Sequence, residues 1–135
     1  ELSSHYHVNE DWKLSAGYSF LEMNLHRKDS STDASRERST ELSSPHNIFH
    51  LQSYLNLTDN LEFDTMMYYV DNVPNSSARN YIRLDARLGW KVKEDMELSL
   101  VGQNLLDRNH REFNGMSVNE TDVQRAVYAK LTYKF

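Results

Sequence analysis

Six histidines, a row of alternating charges and an abundance of serine are the residues of this 135-residue chain whose types could do chemistry. The histidines are His5, His7, His26, His46, His50 and His110. His5 and His7 stand two apart, as two ligands on one face of a strand would, and His46 and His50 lie two pleats apart on a common face. A zinc centre needs three or four converging ligands, and no such set is visible. The chain has no cysteine, which excludes a thiolate nucleophile, a disulfide framework and a cysteine-based zinc site. Ser, His and Asp are plentiful, yet nothing resembles a nucleophile elbow or another local catalytic signature. Four glycines offer no phosphate-cradling loop. No catalytic, metal or cofactor-binding residue is expected, and the chain reads as something other than an enzyme.

The charged row is Arg83, Asp85 and Arg87, spaced two apart. It could hold an anionic ligand, but pairing across strands with Glu62, Asp64 or Glu97 is the simpler use of such a row. Tyr54, Tyr68, Tyr81 and Tyr128 have the parity to share a face with it, either stacking on a ligand or filling space. The net charge of -5 gives no basic stripe of the kind that binds nucleic acid, so nucleic acid is not an expected partner.

The elements that must position these residues show in a period-two alternation of apolar and polar side chains, the mark of a strand with two unlike faces. Seven strands are predicted, over residues 2–8, 12–25, 45–57, 61–73, 80–92, 96–106 and 123–135. In the fifth, Ile82, Leu84, Ala86, Leu88 and Trp90 alternate with Tyr81, Arg83, Asp85, Arg87, Gly89 and Lys91. In the last, Val127, Ala129, Leu131, Tyr133 and Phe135 alternate with Ala126, Tyr128, Lys130, Thr132 and Lys134. A helix with these residues would scatter charge around its circumference, whereas a strand gathers it on one side. Connections alternate as well. Residues 9–11, 58–60 and 93–95 are tight-turn compositions, and residues 26–44, 74–79 and 107–122 are longer. The segment 26–44, rich in Ser, Thr and mixed charge, is expected to be a solvated, mobile loop. Strict alternation puts short turns at one end of the sheet and long connections at the other, as in outer-membrane barrels.

Three features orient the sheet with its apolar face outward. Aromatic residues of that face gather at two levels: Trp12, Phe63, Trp90, Tyr133 and Phe135 near the short turns, and Tyr18, Phe20, Phe49 and Tyr69 near the long connections. Trp12 to Phe20 covers roughly 26 Å of strand, which a barrel-like tilt reduces to a height of roughly 20 Å, close to an apolar band of about 25 Å. The opposite face carries Arg83, Asp85, Arg87, Glu62, Asp64 and Lys130, too many charges for a small dry core. The chain also closes an alternating strand on an aromatic, Phe135. No apolar run reaches the roughly 20 residues of a membrane helix, which leaves a strand-built membrane protein open. The fold expected is all-β: an antiparallel up-and-down segment of a transmembrane β-barrel. Alternation is already under way at residues 2–8 and no leader precedes it, so the chain is expected to be a piece of something longer.

The stretch 45–135 resembles the C-terminal barrel region of TonB-dependent outer-membrane receptors. The resemblance is carried by YIRLDARLGW at 81–90, by LSLVGQNLLD at 98–107 and by RAVYAKLTYKF at 125–135. Within the second, Gly102, Gln103, Asn104, Leu105, Leu106 and Asp107 form the most specific motif, closing the penultimate strand before the last external loop; His110, Arg111, Glu112 and Phe113 in that loop also fit. Asn104 and Asp107 are residues that favour departure from a strand, and Gly102 is expected at a bulge or a close approach of backbone. The motif thus has structural explanations and marks no binding site. Tyr133 and Phe135 look like the family's membrane-insertion signal.

The resemblance implies about seven strands of a 22-stranded barrel, with residues 1–135 forming its C-terminal portion and the plug domain absent. It implies a bacterial outer-membrane transporter for a scarce nutrient such as a ferric siderophore, cobalamin or a glycan. The partners implied are outer-membrane lipid, the small nutrient, and, through the full-length protein, TonB and the barrel-assembly machinery. Arg83, Asp85 and Arg87 then become lumen residues, contacting ligand or plug. Two other readings are carried: a small autonomous outer-membrane barrel, structural or hydrolytic, and a soluble β-barrel holding an apolar ligand inside.

Overall fold

The computed structural model describes residues 1–26, 28, 30, 36–74, 79–111 and 122–135. The elements are β1 (Leu2–His7), β2 (Trp12–Phe20), α1 (Arg36–Glu41), β3 (Asn47–Thr58), β4 (Leu61–Val70), β5 (Tyr81–Lys93), β6 (Met96–Gln103), β7 (Asn109–Arg111), β8 (Asp122–Gln124) and β9 (Ala126–Tyr133). Seven of the strands form one sheet in the order β1-β2-β3-β4-β5-β6-β9, and β7 pairs with β8 apart from it. Every pairing is antiparallel. Among the described residues, β1 and β9 each have a sheet neighbour on one side only.

Short and long connections alternate as expected. The turn after β1 closes where the Val8 N–H donates to the Trp12 carbonyl at 2.9 Å and the Asp11 N–H to the Asn9 side-chain oxygen at 2.9 Å, the local bond that suits Asn to turns. At this same end the register shifts between Asn56 and Thr58 and again between Lys91 and Lys93. Such bulges sharpen the twist where strands reverse. All three short turns lie at this end, and the connections after β2, β4 and β6 lie at the other.

The pairing keeps side chains of one kind together across the whole sheet, because directly opposed residues share a face. One line of partners runs Leu2, Tyr18, Phe49, Tyr69, Ile82; another runs Trp12, Leu55, Phe63, Leu88, Leu100, Ala129. The opposite face has His7, Lys13, Tyr54, Asp64, Arg87, Val101 and Tyr128 on one line. Apart from Lys93, which the bulge sets opposite Met96, no charged residue falls on the paired positions of the first face. That face is nevertheless the exposed one: Leu100 is 53%, Leu131 64% and Trp90 51% accessible. Among the described residues, the one large side chain with essentially no exposure is polar, Asn104. A water-soluble domain buries Leu, Ile, Val and Phe first; in β5 and β6 Leu88, Trp90, Leu98 and Leu100 are exposed and Gly89 and Ser99 behind them are buried, whereas in β3 Phe49, Leu51 and Leu55 are half-buried.

The strand ends differ from expectation. β2 stops at Phe20, β4 at Val70 and β6 at Gln103, short of 25, 73 and 106, because apolar residues continue past the point where pairing partners run out. The predicted start of the last strand, residues 123–125, belongs instead to β8 and its exit, and a six-residue helix, α1, interrupts the expected loop 26–44. The remainder of that loop's expected character falls in part on residues outside those described.

Candidate functional site on the polar face

Arg87 is the centre of the sheltered face. Its Nη1 meets Asp64 at 2.7 Å and Glu62 at 3.2 Å, both on β4, and its Nη2 pairs with Glu97 on β6. Lys91, four residues further along β5, reaches Glu62 at 2.6 Å. One guanidinium thus ties three adjacent strands, using the planar fork that lysine lacks. Gly89 makes room for it: a Cβ there would stand 2.5 Å from Arg87 Nη2. Because Gly89 is the direct partner of Glu62 and Ser99, the guanidinium can lie flat between β4 and β6. Taken together, Arg87 and Lys91 face Glu62, Asp64 and Glu97, an arrangement one negative charge from neutrality.

Arg83 behaves differently. It pairs along its own strand with Asp85, Nε to the two carboxylate oxygens at 3.0 and 3.1 Å and Nη2 to Oδ2 at 2.8 Å. Arg83, Asp85, Tyr68, Tyr81, Met66 and Val70 line a hollow of about 320 Å³ on this face. On the far side of Tyr68 the His50 ring lies 6.4 Å away, centroid to centroid, tilted by 42°. His50 in turn covers Gly17, where a Cβ would fall 2.2 Å from the ring. The row Arg83, Asp85, Arg87 is therefore brought together on one face, and the cross-strand pairing with Glu62, Asp64 and Glu97 is made by Arg87. Tyr54, Tyr68, Tyr81 and Tyr128 all take register positions on it. Among the described residues, no group of three His, Asp or Glu is placed to hold a metal ion. His5 and His7 sit on the polar face of the edge strand β1, opposite Ser15 and Lys13.

The motif at 102–107 folds as a strand terminator. Gly102 keeps regular register with Ala86 and Val127, so there is no bulge. It admits the Leu105 side chain, which an added Cβ would meet at 2.8 Å. Asn104 has φ of 52°, a left-handed conformation that Asn tolerates better than most residues. Its N–H donates to Asp85 Oδ1 at 2.9 Å, and the Leu105 N–H donates to the Leu84 carbonyl at 2.8 Å. The chain turns off the sheet here while remaining bonded to β5. The Asp107 carboxylate accepts from the Arg108 N–H at 2.9 Å, a second local bond of the same departure. Gln103 is the last residue of β6, and Leu106 is exposed. Of the residues 110–113, Glu112 and Phe113 lie outside those described, as do the side chains of His110 and Arg111.

The apolar face has its own polar handles, which spacing did not reveal. The Trp12 indole N–H donates to the Ser53 hydroxyl at 2.9 Å, which accounts for a serine among apolar neighbours. At the opposite end, the Tyr18 hydroxyl donates to Asn47 Oδ1 at 2.7 Å, and Asn47 Nδ2 donates to Asp71 at 2.9 Å. Aromatic bodies are thus exposed with their polar tips satisfied at both ends. Tyr133 and Phe135 are exposed on or beside this face, Phe135 fully. No protein-family model matches the chain.

Proposed function

We propose that this chain is wall from the C-terminal part of an outer-membrane β-barrel transporter of the TonB-dependent receptor kind. The observation that carries the proposal is the asymmetry of the faces: short of the bulge at Lys93 the apolar face carries no charge and leaves Leu88, Trp90, Leu98 and Leu100 exposed, and the ion pairs of Arg87 gather on the other face. In water that arrangement is unfavourable at about 25 cal/mol for each Å² of apolar surface left wet. Against hydrocarbon outside and a wet lumen inside, both faces are at rest. The short-turn and long-connection ends, the aromatic residues with polar tips at both levels, and the terminator at 102–107 support the same reading.

In this role the apolar face meets outer-membrane lipid and the long connections form external surface. Arg83, Asp85 and Arg87 line the lumen, where Arg87 stiffens the wall. A 22-stranded barrel would supply the partners that β1 and β9 lack here. The nutrient carried, a siderophore, a cobalamin or a glycan, would be chosen mainly by loops and plug. The work is passage of a solute, with no reaction catalysed by this segment.

The two tryptophans of the chain provide the test, since Trp12 and Trp90 both occupy the apolar face. In vesicles of brominated phosphatidylcholine the emission of both is expected to be quenched, more by bromine near the headgroups than at mid-chain. A folded monomer in detergent-free buffer with unquenched tryptophan would overturn the proposal in favour of a soluble barrel.

A further inference from the structure

Asn104 is the residue on which the β7–β8 hairpin hangs. Its Nδ2 donates to the Val123 carbonyl in β8 at 3.0 Å, and its own carbonyl accepts a long bond, 3.5 Å, from Arg125 Nε just beyond β8. The base of the hairpin is closed separately by the Arg125 N–H on the Arg108 carbonyl at 3.1 Å. Asn104 is 0% exposed, and among the described residues its buried Oδ1 has no hydrogen-bond partner. A buried acceptor left unmatched costs free energy, so the docked arrangement is held against a penalty at its own fastening. The N–H of the same residue is bound to Asp85, and Asp85 is oriented by Arg83 in the wall of the hollow.

We infer that Asn104 is a releasable clasp between the β7–β8 hairpin and the sheet, with Asp85 as its positioning residue. When the amide lets go of Val123, Oδ1 regains a partner in solvent and the hairpin base moves as a unit, while β6 stays bonded to β5. Asp85 faces the hollow on one side and the clasp on the other. Any solute group that draws its carboxylate toward the hollow weakens the clasp. The inference stands whether the apolar face meets lipid or another partner.

The absence of cysteine makes the test direct, since Gln124→Cys gives a unique spin-label site in β8 and Lys13→Cys a control in β2. Asn104→Gly, in the full chain, keeps the left-handed backbone and the N–H to Asp85 but removes the amide. It is expected to shift the label at 124 roughly five-fold toward its mobile component, the consequence of one net hydrogen bond lost. The label at 13 and the exchange protection of the Leu105 amide should not change. Asp85→Asn, which retains an acceptor for the Asn104 N–H, should mobilise the label less than Asp85→Ala. An unchanged spectrum at 124 in Asn104→Gly would overturn the inference. So would loosening of 13 and 124 together, which would make Asn104 a general support of the sheet.

Discussion

The two faces of the sheet solve opposite problems with the same seven strands. On the polar face, Arg87, Glu62, Asp64, Glu97 and Lys91 satisfy one another, so the face is coherent without any outside partner. On the apolar face, Leu98, Leu100, Val127 and Leu131 are exposed, with no covering element among the described residues, and hydrogen bonds from Trp12 and Tyr18 lie at its margins. One face is complete in itself and the other is completed by its surroundings. A sheet that pairs its ions on one face and displays leucines on the other presents two surfaces of opposite chemistry.

The contrast is broken most severely by a charge on the open face. Leu100→Arg should cost about 2–4 kcal/mol in a lipid-refolded chain if that position lies near mid-membrane, read from denaturant midpoints. A wet surface would tolerate it within about 0.5 kcal/mol. On the polar face, Arg87→Leu leaves Asp64 and Glu97 without their cation and Glu62 with Lys91 alone. A loss of about 1–3 kcal/mol is expected, below that of a fully buried pair because the network is part-exposed. Adding Asp64→Asn and Glu97→Gln, the two carboxylates left without a cation, should restore much of it, and failure of that rescue would mean packing, rather than charge, was lost. Asn104→Ala forces alanine into a left-handed conformation, at about 1–2 kcal/mol beyond the loss of the amide, whereas Asn104→Gly should lose about 1 kcal/mol, the hydrogen bond alone.

The smallest effect expected lies at the margin of the open face. The Asn47 amide and the Asn72 N–H hold the Asp71 carboxyl below its usual range. A depressed carboxyl contributes stability above its unfolded pKa of about 3.9, lost as pH falls through the lower folded value. Wild type should therefore lose a slight advantage over Asp71→Asn on acidification below about pH 4. A constant difference between the two down to pH 2.5 or so would exclude that linkage.

The faces were legible in the sequence because parity is local: residues 82–90 and 127–133 alternate whatever pairs with them. The Arg87 network was half legible, since its partners could be named as acidic residues of matching parity. Register was needed to give all three to Arg87 and to leave Arg83 with Asp85 on its own strand. Strand ends were misjudged where apolar residues such as Leu21, Leu25 and Leu106 outlast their pairing. Helix α1, at six residues, is too short to display a helical period. The hairpin β7–β8 rests on two three-residue strands, and the link from Asn104 to Val123 spans 19 positions with no spacing rule to announce it. Ser53, by parity a residue of the apolar face, is the acceptor for Trp12, a pairing that only the register of β2 on β3 reveals.

Seven is an odd number, and in an up-and-down sheet the parity of the strands decides geography. The chain enters the sheet at Leu2, level with the long connections, and leaves it at Tyr133, level with the short turns. A fusion joined ahead of Glu1 and one joined after Phe135 therefore start from opposite ends of the strands, and from opposite sides of a membrane if the proposed barrel holds. A pair of epitope tags, one at each terminus and probed from one compartment at a time, would map sidedness without touching a single residue of the wall.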